Sequence, residues 1–227
     1  MSTKAKERPI LFSGPMVLAI LDGRKTQTRR VVKFVQFDRS DTPGYDWHFR
    51  GTAKGTKKSS LWQDLRHNQL LDICPYGKPG DRLWVLETWN VLNAATSEII
   101  QPKPRPGICA LAYAATEQQR HNEYPNSGLI TRWRPSIHMP RWASRIDLEI
   151  IGIRVERLNE ISEKDAIAEG AERPILSDGC VGGQAVHPMA GSYAEGFRTI
   201  WESINGPDSW SANPWVWVVE FKRLGAT

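Results

Sequence analysis

The chain has 227 residues, of which 40% are hydrophobic and three are cysteines without CxxC spacing, and its formal net charge is +5. This composition excludes a wholly disordered chain and a disulfide scaffold, and it predicts a globular protein of a reducing compartment, the cytoplasm. Neither a secretory signal nor an apolar run long enough to cross a bilayer is present, so we expect no membrane partner.

The first predicted element is a helix that begins at Ser13 or Gly14 and ends at Gly23. Its apolar residues recur at helical spacing: Met16, Val17, Ile20 and Leu21. Strands are predicted next, in the stretches 28–35, 81–89, 143–158 and 214–224. In the last stretch the side chains alternate between two faces, with Trp215, Trp217, Val219 and Phe221 on one of them.

Two later helices carry clear start signals. The first follows Ser162, has acidic residues in its first turn and ends at Gly170. The second begins at Ser192, which has capping-box spacing to Glu195. Between the predicted elements lie stretches rich in Gly, Pro, Ser, Asn and charge, which we interpret as insertions or long loops: 36–72, 91–131 and 171–191.

Short, non-local strands with a few helices predict an α+β fold, a small mixed β-barrel with flanking helices and long loop insertions. No internal repeat is visible, so we expect one domain over residues 1–227. Nothing in the sequence fixes the oligomeric state, and a monomer is favoured.

The segment from Arg24 to Lys33 contains five cations and no anion. It is either a solvated basic turn, a grip on phosphate groups, or part of a catalytic site in which Lys25 activates the hydroxyl of Thr28. One cation at ~6 Å destabilises the charged form of a lysine by about 2.8 kcal/mol at an effective dielectric of ~20, which lowers the lysine pKa by roughly two units. The neighbouring arginines would therefore favour the neutral form of Lys25. They are also candidates for contact with an anionic substrate: Arg24, Arg29 and Arg30.

Residues 25 and 28 fall on opposite faces of a regular strand, so Lys25 and Thr28 share a site only where the segment turns or bulges.

Aromatic residues alternate with arginines in the stretch 132–145. Such a pattern stacks nucleic-acid bases and holds phosphates, although tryptophans are also common in cores and a histidine between apolar residues is often structural. The candidate binding residues of this region and of the strand before it are Trp89, Trp133, His138, Arg141 and Arg145.

A metal site is a weaker alternative. Cys180 and His187 are close in sequence, but the remaining ligands of a tetrahedral zinc site are not evident. We therefore predict neither a metal nor an organic cofactor.

Five further stretches, taken together, resemble one protein family. "ILDGRKTQTRR" is followed in order by "GDRLWV", "ISEKDAIAEGA" and "WVWVVEFKRL", and the chain also carries "PSIHMPRWASRI". This series is similar to the ASCH-domain family, which has a PUA-like β-barrel fold, and to its long members carried by phages and prophages.

The resemblance implies an activity and its residues. Small bacterial ASCH enzymes are amidohydrolases that convert N(4)-acetylcytidine to cytidine and acetate. Their proposed lysine, threonine and glutamate correspond by motif position to Lys25, Thr28 and Glu169, and the last arginine of the motif to Arg30. The implied partner is a modified nucleoside or single-stranded RNA. The alternatives are an RNA-binding module or a ribonuclease, with Glu169 as a solvated carboxylate at a helix end.

Overall fold

A computed structural model describes residues 5–33, 36–50, 63–93, 109–117, 133–176 and 189–225. Helices and several separate β-sheets are mixed along the chain, which confirms the predicted α+β class. The chain divides into two compact units. The first consists of Met1–Gly23, Asp81–Glu149 and Arg223–Thr227, and the second of Arg24–Gly80 and Ile150–Lys222.

The first unit contains a short parallel strand pair. One strand of the pair is β1 (Glu7–Leu11), and each of its residues lies opposite the residue 75 positions later in the chain. The helix α1 (Gly14–Leu21) follows β1. Pro15 lies at the start of α1, and the left-handed Gly23 (φ 75°) follows its end, as the sequence predicts.

The second unit begins with β2 (Gln27–Val31), which carries the basic segment. A three-stranded antiparallel sheet and a helix follow it: β3 (Gln36–Arg39), β4 (Trp47–Arg50), β5 (Gln63–Leu65) and α2 (His67–Asp72). The interpretation of 36–72 as loops is therefore wrong for these four segments. Their apolar residues are few, but Phe37 stacks on Trp47 and both rings contact Trp215, which supplies the missing core.

The chain then returns to the first unit, which contains three further strands between residues 82 and 113 and the first residues of the long strand β9. They are β6 (Arg82–Leu86), β7 (Trp89–Asn93), β8 (Cys109–Tyr113) and β9 (Asp147–Arg157). Within this unit the strand order is β1-β6-β9, and β7 pairs with β8 as an antiparallel ribbon. Of the two interpretations of 91–131, an insertion or a long loop, the loop is wrong for residues 91–93 of β7 and for β8.

The second unit is completed by the continuation of β9 and by elements from the C-terminal third of the chain. They are α3 (Glu163–Ala168), β10 (Ile175–Leu176), β11 (Met189–Ala190), α4 (Tyr193–Asn205) and β12 (Trp215–Arg223). Here the strand order is β9-β12-β2, and β10 pairs with β11. The interpretation of 171–191 as a long loop is wrong for these two short strands.

The caps of α3 and α4 form as predicted. The hydroxyl of Ser162 accepts a hydrogen bond from the Asp165 N–H, and Ser192 and Glu195 form a reciprocal capping box.

The core of the second unit lies between these helices and β12. Phe197 and Trp201 of α4 pack with Ala166 of α3 against Val216 and Val218. The four residues from Val216 to Val219 are all buried, so β12 is covered on both faces rather than on one. This buried strand is the neighbour of β2 and fixes the position of the basic segment.

No helix of the described residues is both long enough and apolar enough to cross a membrane.

Candidate functional site

Lys25 and Glu169 meet in the interior of the second unit. They form an isolated antiparallel bridge, and the Lys25 Nζ donates to the backbone carbonyl of Glu169 at 2.8 Å and to its Oε2 at 2.6 Å. Both side chains are almost wholly buried, with 0% and 2% of their surface exposed. The sequence-based alternative of a solvated Glu169 is therefore wrong.

Local backbone geometry brings the two residues together. Glu169 caps the C-terminus of α3, and Gly170 then turns the chain with a left-handed φ of 80°. The Thr26 N–H donates to the Ala168 carbonyl at 2.8 Å, which ties the end of α3 to the chain entering β2.

Arg29 holds the other oxygen of the same carboxylate. Its Nη1 lies 3.2 Å from Glu169 Oε1, its Nη2 lies 3.4 Å from Asp165 Oδ2, and it also pairs with Glu156. Its side chain is 0% exposed. Because three carboxylates surround this guanidinium, Arg29 fixes the orientation of Glu169 from the interior of the protein.

The ion network extends from Arg29 through the shared carboxylates to Arg154. Arg154 contacts Asp165 Oδ1 at 3.1 Å and Glu156 Oε2 at 2.9 Å, and it also pairs with Glu220. With 32% of its side chain exposed, Arg154 forms the solvent side of the network, whereas Lys25 and Arg29 form its buried side.

Alternation along β2 separates its polar side chains. Gln27 and Arg29 share one face, and Gln27 donates to the Asp165 carbonyl, as expected for the face that meets α3. Thr28 and Arg30 share the other face, where Thr28 is buried and pairs in register with Val219.

The charges around Lys25 determine which protonation state it favours. Burial lowers the pKa of Lys25, and the charges of Arg30 and Arg29 lower it further, whereas the contact with Glu169 raises it. The net pKa lies below the ordinary value of a lysine. The predicted influence of the arginines is therefore present, although burial is the larger cause.

Tyr76 lies near Arg30, a proximity that no pattern in the sequence indicates. Burial lowers the pKa of Arg30, and the charges of Tyr76 and Glu169 oppose that shift. Burial raises the pKa of Tyr76 in turn. Its position in the turn before β6, far from "GRKTQTRR" in sequence, gave no local signal of this proximity.

Arg24 lies at the surface. Its side chain is 45% exposed, and its Nη1 is 3.5 Å from Glu172 Oε1, a carboxylate that is itself 83% exposed. Such a pair contributes little to stability.

The other predicted binding residues belong to the first unit. Arg141 pairs with Glu7 and Asp147, and Arg145 pairs with the buried Glu87. Trp89 is buried, Trp133 is half-buried and His138 is exposed. The structure thus brings both Lys25 and Arg29 into contact with Glu169. The five residues of the first unit take no part in these contacts: Trp89, Trp133, His138, Arg141 and Arg145.

No cluster of three or more His, Cys, Asp or Glu side chains suited to a metal ion occurs among the described residues. Cys180 and His187 lie outside the described residues.

No family model matches the chain, and no curated protein or solved structure matches it either. The resemblance to the ASCH-domain family stays a prediction.

Proposed function

We propose that the protein is an amidohydrolase that removes the acetyl group from N(4)-acetylcytidine or a related acetylated cytosine. The observation that carries this proposal is the buried contact between Lys25 Nζ and Glu169 Oε2 at 2.6 Å. It joins two of the three residues that the family resemblance assigns to catalysis, from segments 144 positions apart. The proposal includes the PUA-like barrel of that family and a cytoplasmic location.

The first half of the reaction forms an acyl-enzyme. The neutral amine of Lys25 accepts the proton of the Thr28 hydroxyl while its oxygen attacks the acetyl carbonyl carbon. The tetrahedral intermediate then expels the N4 amine of cytosine, which receives that proton from Lys25. Cytidine leaves, and Thr28 carries the acetyl group as an ester.

The second half returns the enzyme to its starting state. Lys25, supported by Glu169, removes a proton from a water molecule, and the water attacks the ester carbonyl. The second tetrahedral intermediate breaks its bond to the Thr28 oxygen, which takes back the proton held by Lys25, and acetic acid leaves and ionises to acetate in solvent. The charge that develops on the carbonyl oxygen is stabilised by Arg30, which shares the face of β2 with Thr28, or by backbone N–H groups.

The role of Glu169 follows from its two contacts. Arg29 holds Oε1 and leaves Oε2 on the lysine, so the carboxylate orients Lys25 and stabilises its ammonium form when the proton arrives.

Product analysis tests the proposal. The protein is incubated separately with N(4)-acetylcytidine, its deoxy form and a short single-stranded RNA, and acetate, free cytosine nucleosides and RNA fragments are measured. We expect acetate and the deacetylated nucleoside in equal amounts. Release of no acetate from either nucleoside would sink the proposal, and RNA fragments without acetate would favour a ribonuclease.

Three threonine variants examine the nucleophile. Thr28→Val removes the hydroxyl at nearly constant volume, Thr28→Ser retains it, and Thr26→Ala changes the exposed threonine two positions earlier. We expect Thr28→Val to lose turnover and the other two to retain it. Full turnover in a folded Thr28→Val protein would exclude Thr28 as the nucleophile.

A further inference from the structure

The first unit contains a cavity of about 350 Å³ that the hydrolysis does not use. Its volume falls within the usual range of small-molecule sites. The residues that line it are mainly aromatic, proline and cationic, and none of them is acidic: Trp89, Arg134, Pro135, His138, Pro140 and Trp142.

Two proline-led turns build one wall of this cavity. Pro135 precedes the single 3₁₀ turn Ser136–His138, and Pro140 precedes the next one, Arg141–Ala143. Met139, between the two turns, and Ala143, the last residue of the second, are buried in a cluster with Trp89. Because these buried side chains hold the turns in place and the prolines restrict their backbone, the cavity wall is formed before a ligand binds.

Trp142 presents an aromatic surface at this wall. Trp142 is 45% exposed. Its ring packs edge to face on the ring of Trp89, with an interplanar angle of 88° and 5.8 Å between the ring centroids. The Arg134 guanidinium lies 5.8 Å from the centroid of the Trp89 ring. An exposed indole packed on a buried one offers a stacking face for a planar ring, and the cation beside them suits a negatively charged group joined to that ring.

We propose that this cavity binds one nucleotide of a single-stranded RNA. The base stacks on Trp142, and Arg134 and His138 contact the adjacent phosphate. The absence of carboxylates from the lining residues and the net charge of +5 favour a polyanion over a neutral ligand. The proposal does not depend on hydrolysis at Lys25.

Fluorescence anisotropy with a labelled, unmodified RNA of about ten nucleotides measures this binding directly. Stacking of one base predicts that Trp142→Ala weakens affinity roughly 5- to 150-fold, whereas Trp142→Phe retains most of it. Ile137→Ala is the matched control, since Ile137 is a 67% exposed neighbour that does not line the cavity. Equal affinities of wild type and Trp142→Ala would overturn the proposal, as would equal losses in Trp142→Ala and Ile137→Ala.

Salt dependence tests the phosphate contact. We expect the slope of log affinity against log salt to fall by about 0.7 in Arg134→Gln, the value for one phosphate of a single strand. Lys164→Gln, which removes an exposed lysine of the second unit, should leave the slope unchanged. An unchanged slope in Arg134→Gln would overturn the phosphate assignment.

Competing ligands identify the source of the nucleotide. A single-stranded RNA should displace the labelled strand at lower concentration than cytidine monophosphate, because the strand offers further phosphates. Displacement by a proline-rich peptide and not by either nucleotide ligand would overturn the proposal in favour of a peptide groove. Since the RNA is unmodified and releases no acetate, failure here leaves the hydrolase proposal standing, and the reverse also holds.

Discussion

Lys25 and Glu169 lie 144 positions apart in the sequence, yet the Lys25 ammonium bonds to both the backbone carbonyl and the carboxylate of Glu169. The backbone bridge fixes the distance between the two chain segments, and the Glu169 carboxylate supplies the negative charge that pairs with Lys25. Because both side chains are buried, each depends on the other far more than an exposed pair would.

Loss of the Glu169 carboxylate should destabilise the fold. Glu169→Ala leaves the buried Lys25 and Arg29 cations without this partner, which we expect to lower the free energy of unfolding by about 3–5 kcal/mol in a urea titration. Glu172→Ala is the control, because Glu172 is exposed and pairs only loosely with Arg24. It should leave the unfolding curve unchanged, and equal effects of the two substitutions would contradict the buried network.

The pH dependence of turnover should follow the ionisation of Lys25. As a base Lys25 acts in its neutral form, so kcat rises with pH, and because burial lowers the Lys25 pKa the midpoint lies below 10.5. Arg30→Gln removes a cation that lowers this pKa, so its midpoint should move to higher pH. Glu169→Gln removes the anion that raises it, so its midpoint should move to lower pH.

The opposite signs of these two shifts separate the Lys25 assignment from a general loss of activity. Pre-steady-state rates of acetate release over a range of pH would measure both midpoints. Shifts in the same direction, or no shift in either variant, would exclude Lys25 as the titrating base.

Two arginines that each contact three carboxylates offer a comparison of burial. Arg29→Lys keeps the charge but removes the planar guanidinium and its several donors from a fully buried site. We expect it to lower the free energy of unfolding, measured by urea titration, by about 2 kcal/mol. Arg154→Lys makes the same change where the side chain is 32% exposed and water replaces the lost contacts. Its cost should stay within about 1 kcal/mol, and a larger loss for Arg154→Lys would contradict this account.

Gly196 of α4 marks a close approach of two backbone segments. A Cβ at this position would lie 1.8 Å from the carbonyl oxygen of Glu172, so Gly196→Ala should displace the chain just after the site and destabilise the protein by about 3 kcal/mol or more. Gly14→Ala is the matched change in α1, where the nearest atom is 3.8 Å away. Thermal unfolding should show a lower Tm for Gly196→Ala alone.

The sequence predicted those elements whose signals are local. Caps and apolar spacing located α1, α3 and α4, and long apolar alternation located β9 and β12. The sheet of β3, β4 and β5 was missed because its short strands are rich in polar residues. Its stability comes from the stacking of Phe37 and Trp47 against Trp215, a contact between distant parts of the chain that no local pattern contains.

The candidate site was predictable in part for the same reason. The motif and its resemblance singled out Lys25 and Glu169, but their burial depends on the bridge at the end of α3 and on the covered strand β12. The role of Arg29 as a clamp on three carboxylates, and the proximity of Tyr76 to Arg30, likewise arise from tertiary packing. The need for glycine at position 196 follows from the Glu172 carbonyl and from nothing in α4 itself.

Acetate release from N(4)-acetylcytidine by Lys25→Gln, beside wild type and Lys164→Gln, tests the central claim most directly. Both variants replace a lysine with the same neutral side chain, one in the buried pair and one on the exposed side of α3. With folding verified by circular dichroism, we expect wild type and Lys164→Gln to turn over equally and Lys25→Gln to be slower by about 10²-fold or more. Acetate release by Lys25→Gln at the wild-type rate would contradict the account.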